Sequence, residues 1–243
     1  MSTASAAPAQ PTVSRERNEA LASLSRPALA ALAPYLTEQV ALAGMALWEP
    51  AGQTNWVFFP LSGLVSIIVP TADGSGIEVA TVGCDGAGSG SFDPGRTGVT
   101  TIGLVCIGGT FCRIAAERLL AAAEQNTEIR GLVERCKTWM LVQAQQIAAC
   151  NTLHSADRRF ARWLRTSSEK LNTTDIPATQ EQIAGLLGVR RTTLSLIAQT
   201  LCTQGLIEYR RGKIRILDVA GLRAASCECC DHLGRHYWPA AAR

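Results

Sequence analysis

The most constraining feature of the sequence is a pair of short helical patterns, separated by a glycine, near the C-terminus. The first pattern begins at Thr179, which can cap a helix with Gln182 as its capping-box partner. It ends at Gly188, which occupies the place of the turn glycine in a helix-turn-helix, and the apolar Val189 then packs beneath the turn. The second pattern covers residues 191–201. This spacing predicts a helix-turn-helix.

The second helix separates apolar from polar residues in the way that DNA recognition requires. Leu194, Ile197 and Leu201 form one buried stripe, so the opening residues of the helix face outward. The N-terminal part of a recognition helix meets base edges in the major groove, where Arg pairs with guanine and Thr or Ser contacts several bases. The residues that we expect to contact DNA from this region are Thr179, Gln180, Arg190, Arg191, Thr192, Thr193 and Ser195.

A β-hairpin is predicted directly after these helices, over residues 205–217, with Gly212 at its turn. Arg210, Arg211 and Lys213 lie at its tip, where they would meet phosphates as the wing of a winged helix. A plain helical hairpin with a solvated basic face is the alternative interpretation. The basic hairpin favours DNA binding over that alternative.

Charge is distributed unevenly along the chain. Residues 1–152 contain 9 Lys and Arg against 12 Asp and Glu, a net charge of −3, whereas residues 153–243 contain 14 against 8, a net charge of +6. Ordinary surface variation could produce such a difference. It is also what a DNA-binding module joined to a separate acidic core would show.

The N-terminal part of the chain predicts a β-rich domain over residues 18–114. Residues 1–17 have the composition of a disordered tail, and residues 19–35 have the leucine spacing of a short helix pair. Short apolar runs separated by turn residues then predict strands in an antiparallel sandwich, barrel or roll. These runs are Trp56–Phe59, Leu64–Val69, Ile77–Val82 and Val99–Ile107.

Residues 115–152 predict one long helix, because they lack proline and their apolar residues recur at three- and four-residue spacing. A long helix after a β domain suits a dimer interface. A helix packed on its own domain is the alternative. The interface residues that we predict are Ile129, Leu132, Val133, Cys136, Met140, Ala144 and Ile147.

With these motifs, most of the chain, from about residue 20 to 230, resembles the Crp/Fnr family of bacterial transcription regulators. The resemblance is strongest in the helix-turn-helix and the hairpin, and it extends to the strand region and to a helix near residue 154. The matching segments are Thr179–Ala184, Gly188–Leu194, Leu206–Ile207, Arg211–Ile214, Phe59–Ser66, Glu78–Gly83 and His154–Leu164.

The resemblance implies an α+β fold. Its parts are an N-terminal antiparallel β-roll, jelly-roll-like and similar to cyclic-nucleotide-binding domains, a long dimerisation helix, and a C-terminal winged helix-turn-helix over residues 153–226. The implied function is sequence-specific binding of double-stranded DNA, as a homodimer on a two-fold operator, with RNA polymerase as a possible further partner.

The resemblance also assigns roles within the recognition helix. Arg191 occupies the position of the family's guanine-reading arginine. Thr192 and Leu196 stand where cyclic-AMP receptors carry a base-reading Glu and a second base-reading Arg. These two departures predict a different operator from that of the cyclic-AMP receptors.

The effector region departs from the cyclic-AMP receptors as well. Their ribose-binding Glu would fall near Ala87 and their phosphate-binding Arg-Ser pair near Val99 and Thr100, with Cys84 in the same loop. A phosphate buried without its arginine would be an uncompensated charge, and Arg96 is the one shifted partner nearby. We therefore predict that the roll senses a signal other than cyclic AMP.

The nine cysteines suggest a second possibility, a redox- or metal-responsive regulator that uses a Cys-rich tail over residues 227–243. Cys227, Cys229, Cys230 and His232 are metal-ligand types, but their spacing differs from the usual two-residue gap between thiolates. We predict no cofactor, with a metal ion or an iron–sulfur cluster at these residues as the alternative. Heme is not expected, because the one candidate, His154, begins the helix that opens the DNA-binding domain.

Other classes of function receive less support. The sequence contains no nucleophile elbow or paired-carboxylate motif, and its three histidines have no metalloprotease spacing, so we do not expect an enzyme. Without a signal peptide or a long apolar run, the expected location is the cytoplasm, with no membrane partner. A sensor whose helix-turn-helix contacts protein instead of DNA remains an alternative.

Overall fold

The computed structural model describes residues 17–50, 56–92 and 98–232. Apart from Arg17, the predicted N-terminal tail lies outside this part of the chain. Within the described residues no helix has both the length and the apolar character needed to cross a bilayer.

The predicted helix pair is present at the start of the described chain. Helix α1 covers Glu19–Ala22 and helix α2 covers Arg26–Leu32, and a 3₁₀ turn follows at Ala33–Tyr35. Asn18 caps α1, and its side-chain amide also donates to the carbonyl oxygens of Pro60 and Gly86. This capping residue therefore fixes the helices against two loops of the neighbouring sheet.

In the described part of the chain, seven antiparallel strands form the roll. They are β1 (Thr37–Ala41), β2 (Ala46–Trp48), β3 (Trp56–Pro60), β4 (Leu64–Pro70), β5 (Gly76–Val82), β6 (Ile102–Ile107) and β7 (Gly109–Ala115). One sheet has the strand order β1-β7-β3 and the other has the order β2-β6-β4-β5. The two sheets enclose a core that includes Phe58, Val65, Val105 and Phe111. The antiparallel roll is confirmed.

One predicted strand is shorter than expected. The apolar run from Val99 to Ile107 enters the sheet only at Ile102, where pairing with β2 and β4 begins. Val99 is buried and Thr100 is exposed, but both precede the strand.

The predicted long helix is present, but it does not cover all of residues 115–152. Helix α3 covers Ala116–Gln125 and helix α4 covers Thr127–Leu153. Between them Asn126 has an extended backbone, and its side-chain oxygen accepts from the amides of Glu128 and Ile129. Because of this N-cap, α4 begins as a separate helix. The apolar spacing therefore continues across the boundary between two helices.

The C-terminal third folds as a winged helix. Its elements are α5 (Ala156–Leu171), β8 (Asp175–Ile176), α6 (Gln180–Leu187), α7 (Arg191–Thr203), β9 (Ile207–Arg210), β10 (Lys213–Ile216), α8 (Val219–Ala225) and α9 (Cys229–His232). Strands β8, β10 and β9 form a small antiparallel sheet in that order.

The winged helix and the roll share one apolar core. Leu64 and Ile107 of the roll lie in the same cluster as Phe160, Trp163 and Leu164 of α5. The apolar face of α5 therefore packs on the β4–β6 sheet as well as on α6 and α7, and the two parts of the chain are held together by buried area.

A buried polar group lies at the same junction. The carboxylate of Glu78 accepts hydrogen bonds from Ser66 Oγ at 2.5 Å and from Thr81 Oγ1 at 2.9 Å. Burial raises the pKa of Glu78, and the two hydroxyl groups and the buried Arg162 of α5 offset part of that rise. Glu78 of the roll and Arg162 of α5 thus lie on the two sides of the junction.

The predicted dimer stripe is mostly covered by the chain itself. Ile129, Leu132, Val133, Cys136 and Ile147 are buried, and the first four belong to a core shared with α1, α2 and β3. Met140 and Ala144 are half-buried. The alternative that the sequence left open, packing on the chain's own domain, accounts for most of this stripe.

Candidate nucleic-acid interface

Helix α6 has the end signals that the sequence predicts. The Thr179 hydroxyl accepts from the amide of Gln182, and the Gln182 side chain reaches back to the amide of Thr179 at 2.9 Å, which completes the capping box. Gly188 ends the helix in the left-handed conformation, with φ of 63°. This conformation favours glycine, and it sets the sharp turn into α7.

Helix α7 presents polar side chains at its start. Arg190, Arg191, Thr192 and Thr193 are exposed, whereas Leu194, Ala198 and Leu201 are buried against α5 and α6. One predicted member of the buried stripe, Ile197, is only half-buried.

Two contacts position the exposed residues. Ser195 Oγ donates to Gln180 Oε1 at 2.6 Å, so the two predicted DNA-contacting residues contact each other across the turn. Arg191 Nε lies 3.5 Å from Glu181 Oε2, with both side chains about 70% exposed (70% and 71%). An exposed ion pair of this kind is worth at most about 1 kcal/mol, so Arg191 can exchange it for a nucleic-acid contact.

The wing is a tight hairpin with a basic tip. Arg211 and Gly212 have positive φ values of 44° and 79°, as a two-residue hairpin turn requires. Arg210 pairs with Glu208 at 2.7 Å and Lys213 pairs with Asp175 at 3.0 Å. The Lys213–Asp175 pair joins β10 to β8, whereas Arg210 and Glu208 both lie on β9. Arg211 projects at the turn as an exposed side chain.

One arginine connects the long helix to the helix-turn-helix. Arg159 Nη1 donates to Asn151 Oδ1 at 2.9 Å and to the carbonyl oxygen of Leu187 at 3.1 Å. Asn151 lies in the last turns of α4 and Leu187 ends α6. The guanidinium therefore satisfies a C-terminal carbonyl of α6 and fixes α6 relative to α4.

The predicted effector residues do not line a single site. Cys84 lies against α5, where its Sγ is 3.1 Å from the carbonyl oxygen of Lys170. Ala87 is buried in the core shared with α1 and α4, whereas Val99 belongs to the core inside the roll, and Thr100 is exposed. Arg96 lies outside the described residues.

Aromatic rings fill the interior of the roll. The rings of Trp48 and Phe58 stack with centroids 6.1 Å apart, and the Trp48 indole N–H donates to Thr101 Oγ1 at 3.2 Å. The Trp48 ring lies against the glycine backbone at Gly88 and Gly103. Aromatic side chains thus occupy the space between the loop that contains Gly88 and strand β6.

The predicted Cys-rich tail is partly folded. Cys227, Cys229 and Cys230 are buried, and α9 packs against α4 and α5. Cys230 points away from the other two, with its Sγ 3.1 Å from Thr166 Oγ1. The side chain of His232 is outside what the structure describes.

Two further residues complete the group. Their positions in the sequence do not link them to these cysteines. Cys150 and His154, one turn apart at the end of α4, lie beside Cys227 and Cys229. The four-residue spacing of a cysteine and a histidine on one helix face was a visible signal. Its pairing with residues more than 70 positions away depends on the fold.

Two thiols of this group are electrostatically linked. Cys150 Sγ lies 3.5 Å from Cys227 Sγ. This contact is the largest cause of the raised pKa of Cys150, and burial is the second. The same contact lowers the pKa of Cys227 to about 5. The two thiols of the pair therefore differ in acidity.

Comparison with known proteins agrees with this geometry. Residues 158–225 match the family model of the Crp-like helix-turn-helix domain. No curated protein sequence is significantly similar to the chain.

Several solved structures share the fold. A Crp/Fnr-family regulator from Eubacterium rectale is 18% identical, with 83% of this chain and 94% of that chain covered and a TM-score of 0.63. The c-di-GMP-responsive global regulator CLP of Xanthomonas campestris is 14% identical, with coverage of 80% and 100% and a TM-score of 0.65. FixK2 of Bradyrhizobium japonicum is 17% identical, with coverage of 79% and 98% and a TM-score of 0.65. The chain shares the fold of Crp/Fnr-family regulators and carries a Crp-like helix-turn-helix domain over residues 158–225.

Proposed function

We propose that the protein is a homodimeric transcription regulator that recognises a two-fold DNA operator through the exposed start of α7. The observation that carries this proposal is the row of exposed side chains at residues 190–193 above a buried face, next to a basic wing. Arg191 reads a guanine, and Arg210, Arg211 and Lys213 of the wing grip phosphates on either side. Thr179 and Gln180 at the start of α6 complete the backbone contacts.

The proposed dimer interface is the exposed face of α4. Thr138, Leu141, Gln145, Ala148 and Thr152 are exposed and follow one another at alternating three- and four-residue spacing. This is the spacing of a two-helix seam, and Leu141 is 57% exposed on it. A second copy of the chain is the occupant, because one winged helix per chain needs a two-fold partner to read both half-sites. Of the residues first predicted, Met140 and Ala144 flank this face.

We propose further that the roll does not take cyclic AMP as its signal. Trp48 and Phe58 occupy its interior, and Ala87, Val99 and Thr100 offer no charge to a phosphate. Calorimetry should show no binding of cyclic AMP at micromolar concentration. Micromolar affinity would contradict this part of the proposal and leave the DNA-binding part intact.

The DNA-binding proposal is tested with DNA selected from a random double-stranded library by the purified full-length protein. Wild type should enrich a two-fold sequence with half-sites about one helical turn (~34 Å) apart. Arg191→Ala should lose about 1–3 kcal/mol of discrimination at one base position. Arg26→Ala, an exposed arginine on α2, is the matched control and should bind as wild type does.

Failure to enrich any sequence, or an unchanged footprint with Arg191→Ala, would contradict the assignment. A helix-turn-helix that serves protein contact instead would show no steep loss of DNA affinity with salt.

A further inference from the structure

A buried group of three cysteines and one histidine lies at the joint between the long helix and the winged helix. Cys150, Cys227 and Cys229 form a buried cluster of their own, with no aliphatic or aromatic member among the described residues. Buried thiols ordinarily pack as small hydrophobes within larger cores. A cluster made of thiols alone therefore calls for an explanation other than packing.

The donor atoms converge on one point. The Sγ atoms of the three cysteines and a ring nitrogen of His154 all lie within 4.8 Å of one another. Cys150 Sγ and Cys227 Sγ are 3.5 Å apart, and Cys229 Sγ and His154 Nδ1 are also 3.5 Å apart. With bonds of about 2.3 Å to sulfur and 2.1 Å to nitrogen, a tetrahedral zinc ion separates its ligands by about 3.5–3.8 Å.

The histidine is oriented by a second contact. His154 Nε2 lies 3.2 Å from Glu228 Oε1. With the Nε2 proton donated to this carboxylate, the lone pair of Nδ1 faces Cys229. Histidine ligands of metals are held in this way, because the outer hydrogen bond fixes the tautomer and the ring direction.

The local charge also suits an ion with thiolate ligands. Three thiolates and a divalent ion carry a formal charge of minus one. The Arg162 guanidinium is buried near Cys150 and Cys227. The surroundings therefore hold a cation that compensates the remaining negative charge.

We propose that Cys150, His154, Cys227 and Cys229 bind a single tetrahedral metal ion of the zinc type. Cysteine and histidine in a closed four-ligand set are the donors of structural zinc sites. The compact group of donors fits one ion and leaves no room among them for a cluster of several irons. Binding displaces the remaining thiol protons to solvent.

The position of the site gives the ion a mechanical role. Cys150 lies in the last turn of α4 and His154 directly follows that helix. Helix α5 begins at Ala156, and the two other ligands follow α8 at the far end of the winged helix. A bound ion therefore fixes the direction in which α5 leaves α4, and it fastens the end of the winged helix to the same point. This role goes beyond DNA recognition by α7 and does not depend on it.

The test measures metal content of full-length protein purified under reducing conditions with zinc present. Wild type should hold one zinc per chain, and Cys229→Ser should hold none. Cys230→Ser is the matched control, because Cys230 is also buried and adjacent in sequence but points toward Thr166. It should retain the full zinc content.

A second measurement covers the case in which Cys229→Ser fails to fold. Cobalt(II) added to metal-free wild type should give the intense visible bands of tetrahedral thiolate coordination, saturating at one ion per chain, and zinc should displace them. Octahedral cobalt spectra, no binding, or equal zinc in wild type and a folded Cys229→Ser would overturn the proposal. A Cys150–Cys227 disulfide in freshly isolated, metal-free protein would also overturn it. These readouts need no DNA, so they are independent of the proposed regulatory function.

Discussion

The indole ring of Trp48 lies so close to the Cα atom of Gly103 that a methyl group at Gly103 would overlap it. Gly103→Ala should therefore destabilise the protein by about 1–3 kcal/mol, because the buried ring must move within a packed core. Chemical denaturation with tryptophan fluorescence measures the change. Gly185→Ala on α6 is the control, since its Cβ would meet open space, and it should stabilise by about 0.5–1 kcal/mol. Equal stability of the two variants would show that Trp48 does not press on β6.

Stability should depend on pH through Glu78. Because burial raises the pKa of Glu78, the folded protein holds this proton more tightly than the unfolded chain does. The free energy of unfolding should therefore fall as pH rises from the ordinary glutamate pKa through the raised one, by up to about 1.4 kcal/mol per pH unit. Glu78→Gln should lack this decrease. Urea denaturation between pH 4.5 and 8 (about the range between an ordinary carboxylate and neutrality) compares the two slopes.

The groups that face Glu78 are Ser66, Thr81, Cys106, Arg162 and Trp163. Glu78→Gln also leaves Arg162 without its carboxylate, which shifts the stability at every pH. The comparison therefore uses the slope and not the offset. Parallel curves for wild type and Glu78→Gln would contradict the raised pKa.

Dimerisation should depend on Leu141 of α4. Leu141→Glu would place two like charges in the proposed seam, and it should weaken the dimer at least about tenfold, a loss of more than about 1.4 kcal/mol. Sedimentation equilibrium measures the dissociation constant. Val40→Glu on β1 is the control, because Val40 is 69% exposed on the roll. Equal dimer stability in the two variants would show that the dimer interface lies elsewhere on the chain.

The wing should contribute to the affinity for DNA without contributing to sequence specificity. Arg211→Gln removes one charge from the hairpin tip in each chain, so the slope of log affinity against log salt should decrease by about 2 for a dimer. Binding to selected and random DNA should weaken by the same factor. The measurement is a salt titration by fluorescence anisotropy. A loss confined to the selected sequence would instead make Arg211 a base contact.

The local signals of the winged helix could be predicted from the sequence because each acts over a few residues. Thr179 with Gln182, Gly188, and the Arg211–Gly212 turn each define an end or a turn through their own backbone chemistry. The break at Asn126 was also local, but the uninterrupted apolar period concealed it.

What an apolar stripe packs against could not be predicted in the same way. Ile129 and Leu132 have the spacing of an interface, and periodicity alone does not distinguish a partner chain from the chain's own roll. The joining of Cys150 and His154 to Cys227 and Cys229 likewise depends on how the end of the winged helix returns to α4.

The shared core between α5 and the roll limits how far this protein can be treated as a set of interchangeable modules. A fragment cut at residue 158, where the family match begins, would expose Phe160 and Trp163, which share a core with Leu64 and Ile107. It would also separate Arg162 from Glu78. Exchange of DNA-binding domains between such regulators would therefore succeed only if the replacement carried an α5 surface fitted to this roll.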